Sequence, residues 1–251
     1  MNGRQSDDGN DRPGQGPSVT ARALWESSAG KRTQLLSDAE RARLAVIASV
    51  VRFKAGTKIF GAGERADAVY NIISGAVKTY RTLPDGAERI AAFLFADDLL
   101  GLVEEGKYMN SARAVNSVTA YRIAVPALEA RLKNDPSLEF HVICKLCNEL
   151  REAQRHAFLL GRRGALGKIT MFLQMLEQYQ SARGDSVAEL YMPMNRSDIG
   201  AYVGISPEAV SRSFRILADR GLVAFRDRRH VKIVDHAGFD KLASDNNGAQ
   251  D

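Results

Sequence analysis

The segment 195–218 constrains the fold more than any other part of the chain. Asn195 and Ser206 each stand where a helix could begin, Pro207 follows the second of them, and Gly204 lies in between. Asn and Ser side chains cap helix N-termini, proline fits the first helical position, and glycine allows the positive φ of a tight turn. The segment therefore predicts two helices joined by a tight turn, a helix-turn-helix.

The second of these helices carries an apolar stripe. Val210, Phe214 and Leu217 lie at i, i+4 and i+7, which places them on one face of a helix. Gly200, in the first helix, has no side chain and would let the second helix approach closely. We therefore expect this stripe to face inward, which argues against an ordinary surface helix whose charges only solvate it.

A polar face lies on another side of the same helix, and it consists of Glu208, Ser211, Arg212 and Arg215. Near a helix N-terminus such side chains can read base edges in the major groove of DNA. Arginine can donate two hydrogen bonds to guanine, and glutamate can accept one from cytosine N4. We predict that Glu208, Ser211 and Arg212 read DNA bases and that Arg215 contacts the DNA backbone.

A basic turn over residues 226–230 follows, between two strand-like segments, Leu222–Phe225 and Val231–Val234. The pattern predicts a hairpin of the kind that forms the wing of a winged helix. Arg228 and Arg229 would then contact phosphates, which strengthens binding without reading sequence. The alternative is an ordinary solvated turn.

Residues 52–125 change to the pattern of short strands. Turn signals such as Pro84-Asp85-Gly86 separate the apolar runs, which are Ala68–Ile73, Ala76–Tyr80, Arg89–Phe95 and Val118–Val125. Closely spaced short strands of this kind predict a small barrel or sandwich. Before them, Ser37 and Glu40 have the spacing of a capping box and predict a helix over about 38–50. Residues 1–36 begin with a polar stretch that favours a flexible tail.

Asp135-Pro136 predicts the start of a long helix with an apolar seam of nearly 3.5-residue spacing. The seam is interrupted by Gln154 and consists of Ile143, Cys147, Leu150, Ala157 and Leu160. It could pack against the protein's own core, but we favour an interface with a second copy of the chain. Cys144 and Cys147 lie one turn apart on this helix; we interpret them as packing residues, with a redox role across the seam as the alternative.

Composition excludes several classes of protein. The two cysteines do not make a disulfide framework, and no apolar run approaches the length of a membrane span. No signal-peptide core is visible, so we expect a cytoplasmic protein that does not contact membrane. The net charge of +5 permits an anionic partner without proving one. Because no metal-ligand cluster, phosphate-cradling loop or nucleophile elbow is present, we expect neither a bound metal nor an enzyme.

Taken together, these elements resemble the Crp/Fnr family of bacterial transcription regulators over about residues 37–236. The run Glu208-Ala-Val-Ser211-Arg212 is similar to the Glu-x-x-Ser-Arg pattern of the Fnr and FixK branch, whereas the Crp branch has Gly at the position of Ser211. The resemblance implies an α+β fold. Its parts would be a cyclic-nucleotide-binding-like β-roll (37–135), a long dimerisation helix (136–162) and a C-terminal winged helix-turn-helix domain (163–251).

The resemblance also implies how such a protein works. We expect a homodimer on double-stranded DNA, at a palindrome similar to TTGAT-N4-ATCAA with half-sites about one helical turn apart. Glu208 and Arg212 would read the inner G·C and neighbouring pairs, and Ser211 the outer, T-rich part. A role as an activator that contacts RNA polymerase is a further family expectation. The family positions that touch the DNA backbone correspond to Arg196, Ser197 and Ser206.

The residues that bind effectors in the family are largely missing. Leu102 and Asn110 replace the acid and the arginine that bind cyclic AMP, although Arg113 nearby could substitute for the arginine. Two cysteines cannot supply the four thiolates of an iron–sulfur cluster. Haem sensing is poorly supported too, because none of the four histidines (His141, His156, His230 and His236) lies in the predicted barrel. We therefore expect no cofactor and favour a FixK-like regulator without an effector.

Overall fold

The computed structural model describes residues 42, 44–103, 106–182 and 185–244. The predicted tail over residues 1–36 and the capping box at Ser37 lie outside them. The first part of the chain contains the strands β1 (Ala48–Phe53), β2 (Lys58–Phe60), β3 (Ala68–Ser74), β4 (Val77–Thr82), β5 (Glu88–Leu94), β6 (Leu99–Leu100), β7 (Ser111–Ala114) and β8 (Val118–Ala124). The helices α1 (Val125–Lys133) and α2 (Pro136–Gly161) follow.

The eight strands form two four-stranded antiparallel sheets, in the orders β1-β8-β3-β6 and β2-β7-β4-β5. Side chains from both sheets fill the space between them, among them Ile72, Val77 and Ala112, which are all fully buried. The predicted small barrel or sandwich is therefore confirmed as a β-roll. Each apolar run named from the sequence corresponds to one strand, within two residues at either end.

The first strand corrects one prediction. Residues 42, 44 and 45 are helical as predicted. The predicted helix over about 38–50 nevertheless extends too far, because Ala48–Phe53 is β1 and pairs along its whole length with β8. Adjacent β-branched residues at Val50 and Val51 favour a strand, and an available antiparallel partner outweighs the helical spacing of the preceding apolar residues.

Both outer faces of the β-roll are covered by helices. On one side, Val69 and Ile123 pack against Leu128 of α1 and Leu138 of α2. The long helix begins as the sequence predicts, with the Asp135 carboxylate accepting a hydrogen bond from the Leu138 amide. It ends at Gly161, one residue before the end that the resemblance implies, and Gly164 has a φ of 78°.

The remainder of the chain forms a C-terminal domain. Its elements are α3 (Ala165–Ala182), β9 (Leu190–Tyr191), α4 (Arg196–Val203), α5 (Pro207–Asp219), β10 (Val223–Phe225), β11 (His230–Ile233) and α6 (His236–Ser244). The three strands make one antiparallel sheet, ordered β10-β11-β9. Tyr80 and Ile90, from the outer face of the second β-roll sheet, belong to the same apolar core as this domain. That shared core fixes the C-terminal domain against the β-roll.

No helix in the described part of the chain is long and apolar enough to span a membrane.

Candidate nucleic-acid interface

The two helices α4 and α5 have the caps that the sequence predicts. The Asn195 Oδ1 atom accepts a hydrogen bond from the Asp198 amide at 2.8 Å, and the Ser206 Oγ atom accepts one from the Ala209 amide at 3.2 Å. Gly204, in the turn between the helices, has a φ of 73°. The helix-turn-helix over 195–218 is therefore confirmed.

The two helices also pack as predicted. Val210, Phe214 and Leu217 are buried in the core of the C-terminal domain. Gly200 lies so close to the turn that a Cβ atom built on it would stand 2.6 Å from the backbone oxygen of Ile205. A side chain at this position has no space, so the close approach of α5 to α4 depends on glycine.

The polar face of α5 is directed away from this core. Its four residues, Glu208, Ser211, Arg212 and Arg215, are all exposed. Hydrogen bonds from its own backbone N–H and from the Ser206 hydroxyl lower the pKa of the Glu208 carboxyl, so the residue is ionised at the start of the helix. The Ser211 hydroxyl donates to the Pro207 carbonyl at 3.0 Å and keeps its oxygen available as an acceptor.

Arg196 lies at the start of α4 and is half-buried. Ser197 and Ser206, the two other residues expected to contact the DNA backbone near these helix starts, are exposed. The Arg196 guanidinium stacks over the Phe214 ring at 3.9 Å from the centroid. The buried Nη1 atom has no hydrogen-bond partner among the described residues. Burial, together with the nearby Arg228, lowers the pKa of Arg196. Sequence reasoning missed this stacking, which holds a positive charge between α4 and the hairpin.

The hairpin β10–β11 forms next to α5, as the sequence predicts. Asp227 organises its turn, since the carboxylate accepts hydrogen bonds from the backbone N–H groups of Arg229 and His230. These bonds and the His230 side chain lower the pKa of Asp227 to about 2. Arg226 is paired with Glu189 at 2.7 Å. Arg228 and Arg229 are exposed, and neither forms a salt bridge with another described residue.

The seam of α2 lies on the surface of the single chain. Ile143 is 51% exposed and Leu150 is 61% exposed, and the other three seam residues, Cys147, Ala157 and Leu160, are exposed as well. The sequence pattern missed Phe158, which is 75% exposed beside them. An exposed apolar strip of this kind on one helix, interrupted only by Gln154, is typical of an interface.

The two cysteines differ in their surroundings. Cys147 is exposed, Cys144 is half-buried, and both are free thiols. Burial, with the proximity of Cys147, raises the pKa of the Cys144 thiol. A raised pKa disfavours the thiolate, the form that reacts with oxidants.

The positions that replace the cyclic AMP ligands are occupied by other interactions. Leu102 packs with the apolar cluster beneath α1, and Asn110 accepts a hydrogen bond from Arg81 at 3.2 Å. The Arg113 guanidinium is bound to Glu88 at 2.6 Å and donates to the Tyr80 hydroxyl at 2.7 Å. Arg113 is therefore committed to another contact and does not stand free to replace the missing arginine.

A buried ion cluster joins the β-roll to the helix-turn-helix, and no local sequence signal indicates it. The Lys78 ammonium on β4 contacts Glu88 at 2.8 Å and Asp198 of α4 at 2.7 Å. The side chains of Lys78 and Asp198 are only 10% and 13% exposed. Burial opposes the charged form, but the hydrogen bonds to Asp198 and Glu88 outweigh it and raise the pKa of Lys78.

Comparison with known families agrees with this architecture. Residues 50–135 match the cyclic nucleotide-binding domain, and residues 167–242 match the Crp-like helix-turn-helix domain. A β-roll followed by a long helix and a winged helix-turn-helix defines a class of DNA-binding transcription regulators. The chain belongs to the Crp/Fnr family of these regulators, and it is a transcription regulator rather than an enzyme.

Individual relatives point to one part of the family. The chain is 31% identical to the nitrogen fixation regulation protein FixK of Azorhizobium caulinodans over 202 residues, which cover 80% of this chain and 82% of that protein. It is 30% identical over 200 residues to the transcriptional activator protein FnrA of Stutzerimonas stutzeri, covering 79% and 80% of the two chains. The structure of FixK2 from Bradyrhizobium japonicum aligns with a TM-score of 0.73 at 27% identity, covering 81% of this chain and 100% of that one.

Proposed function

We propose that the protein binds DNA as a homodimer at a palindrome similar to TTGAT-N4-ATCAA, and that Glu208, Ser211 and Arg212 read its bases. One observation carries the proposal. These three residues lie together on the exposed face of α5, at the N-terminal end of a helix that its caps and the Gly200 contact hold in place. A rigid helix that presents a carboxylate, a hydroxyl and a guanidinium can enter a major groove and distinguish base pairs.

Positive charges around this helix would contact the phosphates. Arg215, Arg228 and Arg229 are exposed, and Ser197 and Ser206 present hydroxyls near the starts of the two helices. Arg196 would act beside Arg228, since its half-buried guanidinium adds positive potential at the junction of α4 and the hairpin. Phosphate contacts of this kind fix the register of the protein on DNA and contribute no sequence preference.

The palindrome requires two recognition helices, which we propose are brought together by pairing of the α2 seams. The seam supplies exposed apolar side chains at nearly 3.5-residue spacing, the pattern by which two helices pack along each other. We assign Cys144 and Cys147 to packing at or beside this interface, since the raised pKa of Cys144 disfavours redox chemistry there.

We further propose that DNA binding requires neither cyclic AMP nor an iron–sulfur cluster. Leu102 cannot replace a carboxylate, and Arg113 is held by Glu88 and Tyr80. The chain has two cysteines, fewer than a cluster needs. As a member of a family with activators among its relatives, the protein would act in the cytoplasm and contact RNA polymerase.

The test is fluorescence anisotropy of a labelled TTGAT-N4-ATCAA duplex in reducing buffer without ligand, beside a scrambled duplex. We expect the palindrome to bind more tightly, with an affinity that falls steeply as salt rises. Glu208→Ala should remove at least about tenfold of this preference, because it deletes a base contact in each half-site. Asp219→Ala is the matched control, since it removes the same charge from the exposed far end of α5.

Equal binding of both duplexes would contradict the proposal. If added cyclic AMP then restored the preference, the ligand-independence would be wrong and the recognition helix right. If it did not, the assignment of α5 as the reader of this palindrome would be wrong.

A further inference from the structure

The helix α4 is attached to the β-roll at two points. Near its C-terminal end, the Tyr202 ring lies 5.2 Å from the Phe93 ring of β5, among the apolar side chains of the shared core. Near its N-terminal end, the Asp198 carboxylate accepts a hydrogen bond from the Lys78 ammonium of β4 at 2.7 Å. Two separated points of attachment fix both the position and the direction of a helix, whereas one point would allow it to pivot.

The ionic attachment has a firm support on the side of the β-roll. Lys78 also contacts Glu88 of β5 at 2.8 Å, and Glu88 contacts Arg113 of β7 at 2.6 Å. The three side chains come from neighbouring strands of one sheet, and their charges alternate in sign. The Lys78 ammonium that binds Asp198 is therefore itself held in place, and charge-assisted hydrogen bonds of this kind are directional.

A cleft of about 390 Å³ lies between the β-roll and the helix-turn-helix beside this ionic attachment. Ser197 and Pro207 line it on the side of the helix-turn-helix, and Arg89 lines it on the side of the β-roll. Because the two parts are not tightly packed here, apolar contacts would not hold the N-terminal end of α4 if the ion pair were lost. The helix would then have space to pivot about Tyr202.

The direction of α4 determines where the recognition helix lies in a dimer. Asp198 belongs to the first turn of α4, and α5 packs against α4 through the close approach at Gly200. The β-roll is in turn fixed to α2, where Lys145 pairs with Asp98. When the α2 seams join two copies, a rotation of α4 on each β-roll changes the distance and the angle between the two recognition helices.

We infer that Lys78, acting through Asp198, is a specificity-determining residue that selects the number of base pairs between the two half-sites. The inference rests on the proposed function, because spacing has a meaning only for a dimer on a palindrome. One added base pair moves the half-sites apart by about 3.4 Å and rotates one relative to the other by about 34°. Recognition helices held at one distance and angle tolerate this change poorly, whereas helices that pivot tolerate it better.

The test is fluorescence anisotropy of the full-length protein with three duplexes: TTGAT-N4-ATCAA, the same palindrome with an N5 spacer, and a single TTGAT half-site. The wild type should bind the N4 palindrome more tightly than the N5 palindrome. Lys78→Met should lower this N4-to-N5 ratio of affinities by at least about fivefold, the lower end of typical coupling between two sites. Its affinity for the single half-site should remain that of the wild type, because one recognition helix binds there without its partner.

Two further variants separate positioning from stability. The Lys78→Met, Asp198→Asn double variant buries no unpaired carboxylate at position 198, so it should fold more stably than Lys78→Met and still have the lowered ratio. Lys78→Arg keeps a cation and should retain most of the wild-type ratio. Lys58→Met is the matched control, since Lys58 lies on the same sheet and pairs with Glu64, but its side chain is 55% exposed and the pair stays within the β-roll.

An N4-to-N5 ratio that is unchanged in Lys78→Met and in the double variant would overturn the inference and leave the proposed function intact. Equal losses on all three duplexes would also overturn it, because they would show only a loss of folded protein. The same holds for a wild type that prefers the palindrome to a scrambled duplex but binds both spacings equally. A wild type that does not prefer the palindrome to a scrambled duplex would instead contradict the proposed function, and the inference with it.

Discussion

Gly200→Ala tests the packing on which the recognition helix depends. The added Cβ atom would stand 2.6 Å from the Ile205 backbone oxygen, well inside van der Waals contact. Because that neighbour is backbone in a tight turn, α4 and α5 must move apart. Overpacking of this kind costs about 3 kcal/mol at its upper end, and the better helix propensity of alanine returns about 1 kcal/mol. The net expectation is a destabilisation of about 2 kcal/mol.

Gly167→Ala is the control, and it should change stability in the opposite direction. Gly167 lies in α3, where a Cβ atom would meet only the Arg162 Nη1 atom, at 3.8 Å. Here the gain in helix propensity is unopposed, so we expect stabilisation by up to about 1 kcal/mol. Urea unfolding followed by circular dichroism at 222 nm measures both variants.

The same two variants should also differ in their affinity for DNA. Gly200→Ala shifts α5 relative to α4, so it should weaken binding to the palindrome, whereas Gly167→Ala should bind as the wild type does. The reasoning is refuted if Gly200→Ala unfolds at the same urea concentration as the wild type, or if both alanine variants change stability in the same direction.

Three further predictions concern other parts of the molecule. Lys78→Met leaves the Asp198 carboxylate buried without its ion pair, while Glu88 keeps its bond to Arg113, so we expect a loss of about 3 kcal/mol in urea unfolding, and much less in the Lys78→Met, Asp198→Asn double variant; additive losses would show that the pair is not coupled. Glu149 has a pKa raised by burial, so its ionisation costs stability as pH rises from about 5 to 8. Glu149→Gln should therefore match the wild type near pH 5 and exceed it at pH 8, by at most about 3 kcal/mol; a difference independent of pH in thermal melting would contradict this. Ser206→Ala removes the N-cap of α5 and should lower the free energy of unfolding in urea by about 1 kcal/mol. Ser206→Thr keeps a capping hydroxyl and should lose much less; equal stability of both variants and the wild type would show that the cap contributes nothing.

The helix-turn-helix could be predicted in detail because its signals are local. Asn195, Gly204 and Ser206 each act within a few residues of their own position, and the apolar stripe of α5 is visible as spacing. The strands of the β-roll were predictable for the same reason, since short apolar runs and turns alternate along the chain.

The interactions that join the domains could not be predicted in this way. Lys78 and Asp198 are far apart in sequence, and nothing near either residue indicates its partner. The aromatic contact of Arg196 and the burial of Glu149 likewise arise only when distant segments pack together. The end of the predicted helix over about 38–50 was wrong for the same reason. The residues of β1 are extended because they hydrogen-bond to β8, which lies near the end of the β-roll in sequence.

The central claim is that α5 reads base pairs, and Arg212 tests it most directly. The measurement is the ratio of affinities for TTGAT-N4-ATCAA and for TTAAT-N4-ATTAA, in which the inner G·C pair of each half-site is replaced. The wild type should prefer the first duplex by a factor of about 5 to 150 for each half-site contact.

Arg212→Ala should lower this ratio by a factor of about 5 or more for each half-site, with Glu208 accounting for the preference that remains, while retaining much of the salt-dependent binding to either duplex. Arg220→Ala, which removes an exposed arginine at the opposite end of α5, should leave the ratio unchanged. If Arg212→Ala instead weakens binding to both duplexes equally and keeps the wild-type ratio, Arg212 contacts the backbone and the account of base reading by α5 is contradicted.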